Sequence, residues 1–123
     1  MTTSEPLETG RIGERAAETA YVRRGYRVIA RNWRCRLGEL DLVFSRAGTL
    51  VVCEVKTRRV SRFGEGWHAV DARKQAKLRA VAQTFLIATG ARPSVVRFDV
   101  ASVALQDRPR GREAHVDVYE DAF

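Results

Sequence analysis

Residues 38–56, Gly-Glu-Leu-Asp-Leu-Val-Phe-Ser-Arg-Ala-Gly-Thr-Leu-Val-Val-Cys-Glu-Val-Lys, constrain the fold of this chain more than any other stretch. They are two strand-like runs meeting at Arg46-Ala47-Gly48-Thr49. The first alternates Glu39, Asp41 and Val43 against Leu40, Leu42 and Phe44. The second is rich in β-branched and apolar residues and carries Glu54 and Lys56 near its end,. Gly48 supplies the positive φ of a tight hairpin,. A two-residue turn at Ala47-Gly48 sets Asp41 opposite Glu54 and Glu39 opposite Lys56. Cross-strand partners have Cβ atoms about 4.5–5.5 Å apart, close enough for two carboxylates to share one divalent cation. A four-residue loop keeps all four groups on one face, whereas a three-residue loop without a bulge separates them.

Two carboxylates facing each other in an apolar sheet repel unless they share a proton or bind a cation. Lys56 supplies one positive charge, and a hard dication with oxygen ligands supplies the rest. The plainer alternative is a solvated hairpin face with a Glu39–Lys56 ion pair of little energetic weight. The apolar run before Glu54-Val55-Lys56 favours a site, since an exposed face is normally more polar.

Around this hairpin the periodicity places the other elements. Residues 1–9 are polar and aperiodic and read as a flexible tail preceding a single domain, 10–123,. Helical spacing of Ile12, Ala16 and Ala20 and of Ala17 and Tyr21 predicts a helix over 11–24, ended by Gly25 in the left-handed conformation,. Residues 26–34 read as a strand with Val28 and Ala30 on one side and Trp33 as a structural aromatic at its end. Arg34 and Arg36 are candidate phosphate contacts, with solvated loop arginines as the equal alternative. Residues 57–66 read as a polar loop containing Arg58, Arg59 and Arg62, positioned to hold a phosphodiester,. Arg58 is the strongest of the three, because it follows Lys56 by two. Asp71 is placed to cap a helix over 72–89 with an apolar stripe of Leu78, Val81, Ala82, Phe85 and Leu86,. Lys74 and Lys77 in its first turns oppose the macrodipole and can reach phosphate,. A strand over 95–105, a loop over 106–113 and a short strand over 115–119 complete the chain, with Asp99 in a structural or polar-face role rather than a third ligand. This order predicts an α/β fold with a mixed central sheet flanked by helices.

The 123 residues suffice for one core, and 45% apolar with 30% charged content fits a globular domain,. No apolar run approaches the ~18–20 residues of a membrane span, and the N-terminus lacks the features of a secretory signal, so the expected location is cytoplasmic with no membrane partner,. The net charge of +7, carried mostly by arginine, favours a polyanionic partner, although an arginine-rich composition bias contributes,. Cys35 and Cys53 are not in a metal-binding spacing, and His68 and His115 are isolated,. Free thiols are expected, with Cys53 a small core residue.

Asp41, a hairpin and then Glu54-Val55-Lys56 resemble the Asp…(Asp/Glu)-x-Lys signature of restriction-endonuclease-like nucleases, written PD-(D/E)xK. The fuller pattern resembles the bacterial YraN family of that superfamily, from about residue 10 to the end. It is carried by Gly13-Glu14, Gly25-Tyr26, Asn32-Trp33-Arg34, Gly38-Glu39-Leu40-Asp41-Leu42, Glu54-Val55-Lys56-Thr57-Arg58 and the closing Ala122-Phe123. Leu40 stands where the nuclease signature has proline, a position that is not a ligand. The resemblance implies an αβββαβ core and a Mg²⁺- or Mn²⁺-dependent endonuclease acting on DNA, with branched or junction DNA among the candidate substrates. It implies Asp41 and Glu54 as metal ligands, Lys56 as the catalytic amine, Glu14 approaching the site from the first helix, and Gln75 beside Lys74 lining it. Glu39 is a supporting acid, able to help hold a second ion. A cut through both strands needs two copies of one such site, which makes a homodimer a conditional expectation. Two other classes stay open: a non-catalytic nucleic-acid-binding protein, and a small subunit whose arginines bind acidic surfaces.

Overall fold

Glycines and one alanine with positive φ punctuate the chain where the sequence asks for turns. The computed structural model describes residues 5–61 and 70–123. Helix α1 (Glu5–Arg23) is closed by Gly25 at φ 88°, with the Gly25 N–H donating to the Val22 carbonyl at 3.0 Å. Strand β1 (Arg27–Cys35) follows, then β2 (Gly38–Arg46) and β3 (Thr49–Arg59). Ala47 (φ 48°) and Gly48 (φ 82°) form the two-residue turn between β2 and β3, as the spacing predicts,. Helix α2 (Ala72–Thr89) begins where Asp71 accepts from the Lys74 N–H at 2.8 Å and ends at Gly90 (φ 71°), matching the expected boundaries. Strands β4 (Val95–Arg108) and β5 (Gly111–Tyr119) finish the domain.

The five strands form one mixed sheet in the order β1-β2-β3-β4-β5. Only β3 and β4 run parallel, and α2 is the crossover that a parallel pair requires,. The helices sit on opposite faces. Leu78, Val81, Ala82 and Phe85 of α2 pack on Leu40, Val43, Leu50, Val52, Phe98 and Val100. Ala17 and Tyr21 of α1 pack on Leu42, Phe44, Val51, Cys53, Ala101 and Val103. Strands β3 and β4 are therefore covered on both sides, which explains why they read as near-continuous apolar runs,. Trp33 is structural, its ring edge-to-face with Phe85 at 5.2 Å. The final residues dock on the same core: the Ala122 N–H donates to the Phe98 carbonyl at 2.7 Å, and the Phe98 and Phe123 rings are 5.2 Å apart. This arrangement is the αβββαβ core of the restriction-endonuclease-like fold with one further strand.

Several boundaries differ from expectation. Helix α1 starts at Glu5, so residues 5–9 are helical rather than tail; a proline in the first turn needs no intrahelical donor,. Residues 57–59 continue β3 instead of opening a loop, because β4 offers paired partners as far as Arg59↔Leu105. The expected loop over 106–113 is a tight hairpin with Arg108↔Gly111 as its last pair. Val28 and Ala30 do not share a face: a bulge between them sends Val28 to the α1 core and Ala30 to the α2 core,. The expected free thiols are present at Cys35 and Cys53, the latter buried.

The strict alternation expected for β2 also fails, and at an informative place. Leu40 enters the α2 core and Leu42 the α1 core, although residues two apart in a regular strand share a face,. The strand turns over at Asp41. Across from it, between the pairs Arg31↔Leu42 and Trp33↔Leu40, stands Asn32 at φ 47°. Asparagine tolerates that left-handed conformation better than other non-glycine residues.

Candidate functional site

The β2–β3 ladder runs from Arg46↔Thr49 to Leu42↔Cys53, in the register that a two-residue turn dictates. Beyond that pair the two strands part, and the acids stand where they separate. The Val55 N–H donates to Asp41 Oδ2 at 2.9 Å, a side-chain contact in place of the next rung. The Asp41 carboxyl also faces the Glu54 carboxyl in the same cleft. Burial first, then the neighbouring Glu54 carboxyl, push the Asp41 pKa up to about 8,. Glu54 is itself buried, with its side chain 10% exposed, and Lys74 Nζ lies 3.2 Å from its Oε2. Helix α2 carries that lysine across because Asp71 fixes the start of the first turn.

An open cleft of about 570 Å³ lies over this pair, lined by Arg34, Glu39, Asp41, Glu54, Lys74 and Lys77 among others. Lys77 crosses close to Gly38, where an added Cβ would meet its Cε at 2.9 Å. Three basic and three acidic side chains therefore share one concavity at the end of the β2–β3 ladder. Convergent charge of both signs with a displaced carboxyl pKa is the usual character of a functional cleft.

Lys56 is half-buried in β3, opposite Ser102, and by strand alternation takes the Glu54 face, but it does not line the cleft. The expected Glu39–Lys56 opposition does not form, because the ladder ends before it. Glu39 instead pairs with Arg34 across β1 and β2, and Arg34 remains 80% exposed. Gln75 does not line the cleft either; its side-chain amide donates to the Val70 carbonyl at 2.7 Å and secures the start of α2.

Glu14 lies on the α1 side, accepting from Asn32 Nδ2 at 3.1 Å in a second cleft of about 420 Å³. Its charge still reaches Asp41, as the weakest of the influences raising that pKa. Among the described residues no group of three or more His, Cys, Asp or Glu side chains surrounds a common point, so neither Glu14 nor Glu39 joins the Asp41–Glu54 pair as a ligand set. Arg36 is exposed in the turn between β1 and β2. Arg58 is half-buried in β3, and Arg59 is paired with Asp107 at 2.9 Å, away from the acids. Arg62 and His68 lie outside the described residues.

Sequence reasoning missed the role of Asn32. Its left-handed backbone marks the point where β1 and β2 turn over, and its side chain holds Glu14. An asparagine inside an otherwise strand-like run is the signal that could have found it. It also missed Gly13, where any Cβ would lie 1.8 Å from Thr57 Oγ1, so α1 touches β3 one residue beyond Lys56.

No helix among the described residues is long and apolar enough to cross a membrane. Residues 13–103 match the model of the uncharacterised protein family UPF0102. A UPF0102 protein of Frankia alni is 44% identical over 93% of this chain and 92% of its own length. One from Clavibacter michiganensis is 42% identical over 99% of both chains. One from Symbiobacterium thermophilum is 46% identical over 84% of this chain and 86% of its own. With that coverage and identity, the chain belongs to the UPF0102 family, the YraN family that its motifs resemble.

Proposed function

We propose that this protein is a divalent-metal-dependent endonuclease hydrolysing phosphodiester bonds in DNA, branched or junction DNA included. One observation carries the reading: Asp41 and Glu54, from neighbouring strands, meet in a half-buried cleft whose rim is basic. The pair fits Mg²⁺ or Mn²⁺, since its donors are hard oxygens whose mutual repulsion a dication relieves, with the remaining positions left to water and phosphate. When bound, such an ion lowers the pKa of water and offsets charge developing on the phosphate.

The chain's own groups do the rest. The Val55 N–H holds Asp41 in its orientation at 2.9 Å. Lys56, two residues past Glu54 on the same face of β3 though outside the cleft lining, is the amine we assign to orient the attacking water or help deprotonate it,. Lys74, Lys77 and Arg34 at the cleft rim hold phosphate oxygens, arginine doing so bidentately,. Arg58, further along the Lys56 face, extends the same contact. Purified protein incubated with Mn²⁺ is expected to nick or cleave DNA, and Asp41→Asn or Glu54→Gln to abolish cleavage. Activity surviving both substitutions would refute the assignment.

A second reading, a non-catalytic nucleic-acid-binding protein, draws on a specific observation. Two acids of the cleft already have counter-charges, Lys74 on Glu54 and Arg34 on Glu39. Under that reading DNA binding falls steeply with salt and the DNA stays intact with every divalent ion tested.

A further inference from the structure

We propose that Lys74 and the divalent cation compete for the Glu54 carboxylate, so that metal binding releases the Lys74 ammonium to a nucleic-acid phosphate. The inference rests on the reading above and adds a link between the two ligands of the cleft. Lys74 Nζ is 3.2 Å from Glu54 Oε2, on a carboxylate that is almost wholly buried, while the lysine is 47% exposed. The buried partner is fixed and the exposed one is free to swing. Lys74 stands in the first turn of α2, pinned at its own N–H by Asp71, so the side chain pivots from a fixed root. A lysine side chain has four rotatable carbons and a compact charge, which suits exchange between partners better than a planar guanidinium. An ammonium and a dication cannot both hold one carboxylate oxygen at close range. Two positive charges on one buried carboxylate repel, so each weakens the other's hold on Glu54, and the displaced ammonium stays within the same cleft,.

Lys77 supplies the control. It lines the same cleft, carries the same charge one turn further along α2, and has no ion pair with Glu54 among the described contacts. Removing either lysine lowers the local positive potential and favours a cation to a similar extent. Only removing Lys74 also removes a competitor. Binding by reciprocal linkage follows: if metal frees Lys74 for phosphate, nucleic acid must tighten metal binding by the same factor.

The test titrates Mn²⁺ into wild type, Lys74→Met, Lys77→Met and Asp41→Asn by calorimetry. It then measures the salt dependence of binding to a DNA duplex with and without Ca²⁺. Lys74→Met is expected to bind Mn²⁺ about fivefold more tightly than Lys77→Met. It is also expected to lower the log–log salt slope by about one, with Ca²⁺ present and not in its absence. Lys77→Met is expected to lower the slope equally in both conditions. Equal Mn²⁺ affinity in the two lysine variants, with Asp41-dependent binding in wild type, overturns the competition and leaves the metal site standing. Absence of Mn²⁺ binding from wild type and every variant overturns both.

Discussion

Asp99 and Asp41 are aspartates in the middle of sheet strands, yet the groups around them differ in kind. Asp99 is wholly buried and accepts from Tyr21 Oη at 2.6 Å, from the Asp121 N–H at 3.0 Å, and from Arg97 through Nε at 2.9 Å and an Nη at 3.0 Å. Arg97 in turn donates to Tyr26 Oη at 2.8 Å, and the carboxylate beside it holds its guanidinium above the ordinary arginine range. Asp41 accepts one backbone N–H and otherwise faces another acid. On the α1 face Tyr21 closes directly over its acid, whereas the α2 face is open around its pair. Burial of a carboxylate therefore does not distinguish structure from function; the presence or absence of a dedicated counter-charge does.

The largest expected effect tests the structural side of this contrast. Asp99→Asn leaves the Arg97 guanidinium, 19% exposed, with the more distant and exposed Glu120 at 3.4 Å as its one carboxylate among the described residues and the Tyr26 hydroxyl as a neutral acceptor. Breaking a buried pair by removing one partner costs about 3–5 kcal/mol, and equilibrium urea unfolding should record a loss of that size. A variant within about 1 kcal/mol of wild type would mean that Asp99 is no better compensated than Asp41.

The next effect is smaller and has the opposite sign. Because the folded-state pKa of Asp41 is raised from 3.8 to about 8, the folded chain keeps a proton that the unfolded chain has already released over that interval. Unfolding then releases a proton, so this group makes stability fall as pH rises from about 4 to about 8, after which its penalty is complete. Asp41→Asn removes the dependence and, in the presence of a chelator, should stabilise the protein by about 0.5–2 kcal/mol near pH 9. Thermal unfolding from pH 5 to 9 checks it: the variant's profile should be flatter than that of wild type. Parallel profiles would show that the Asp41–Glu54 repulsion is already relieved.

Much of this was legible in the sequence because it depended on local chemistry. The Ala47-Gly48 turn set the β2–β3 register, and Asp71 with Gly90 bracketed α2 to the residue. A structural or polar-face role for Asp99 was expected and the buried, structural one is found, although nothing in the sequence pointed to Arg97 as its partner. What escaped was long-range. Strict alternation cannot show that β2 turns over at Asp41, because the accompanying backbone change is at Asn32 in another strand. The pairing of Lys56 with Glu39 failed because β3 leaves β2 to follow β4, a choice made by a strand some 40 residues later in the chain. Lys74 was named for phosphate, but its contact with Glu54 depends on how α2 crosses the sheet, which periodicity does not encode.

The Arg34–Glu39 pair gives the smallest expected effect and the finest probe of the contrast. It spans the β1–β2 register pair at the cleft rim, with Arg34 80% exposed and Glu39 about a third exposed, at 34%. Water screens both charges, and holding two long side chains together offsets most of the attraction. Glu39→Gln should therefore change stability by only about 0–1 kcal/mol in the urea experiment. The same substitution leaves Arg34 without its carboxylate at the mouth of the cleft. If the rim binds nucleic acid, DNA affinity should rise at low salt and the log–log salt slope should steepen by about one phosphate contact. A stability loss above about 2 kcal/mol would mean that the rim is held as firmly as the Asp99 network. The two faces of the sheet would then differ in charge arrangement alone and not in how tightly each is built.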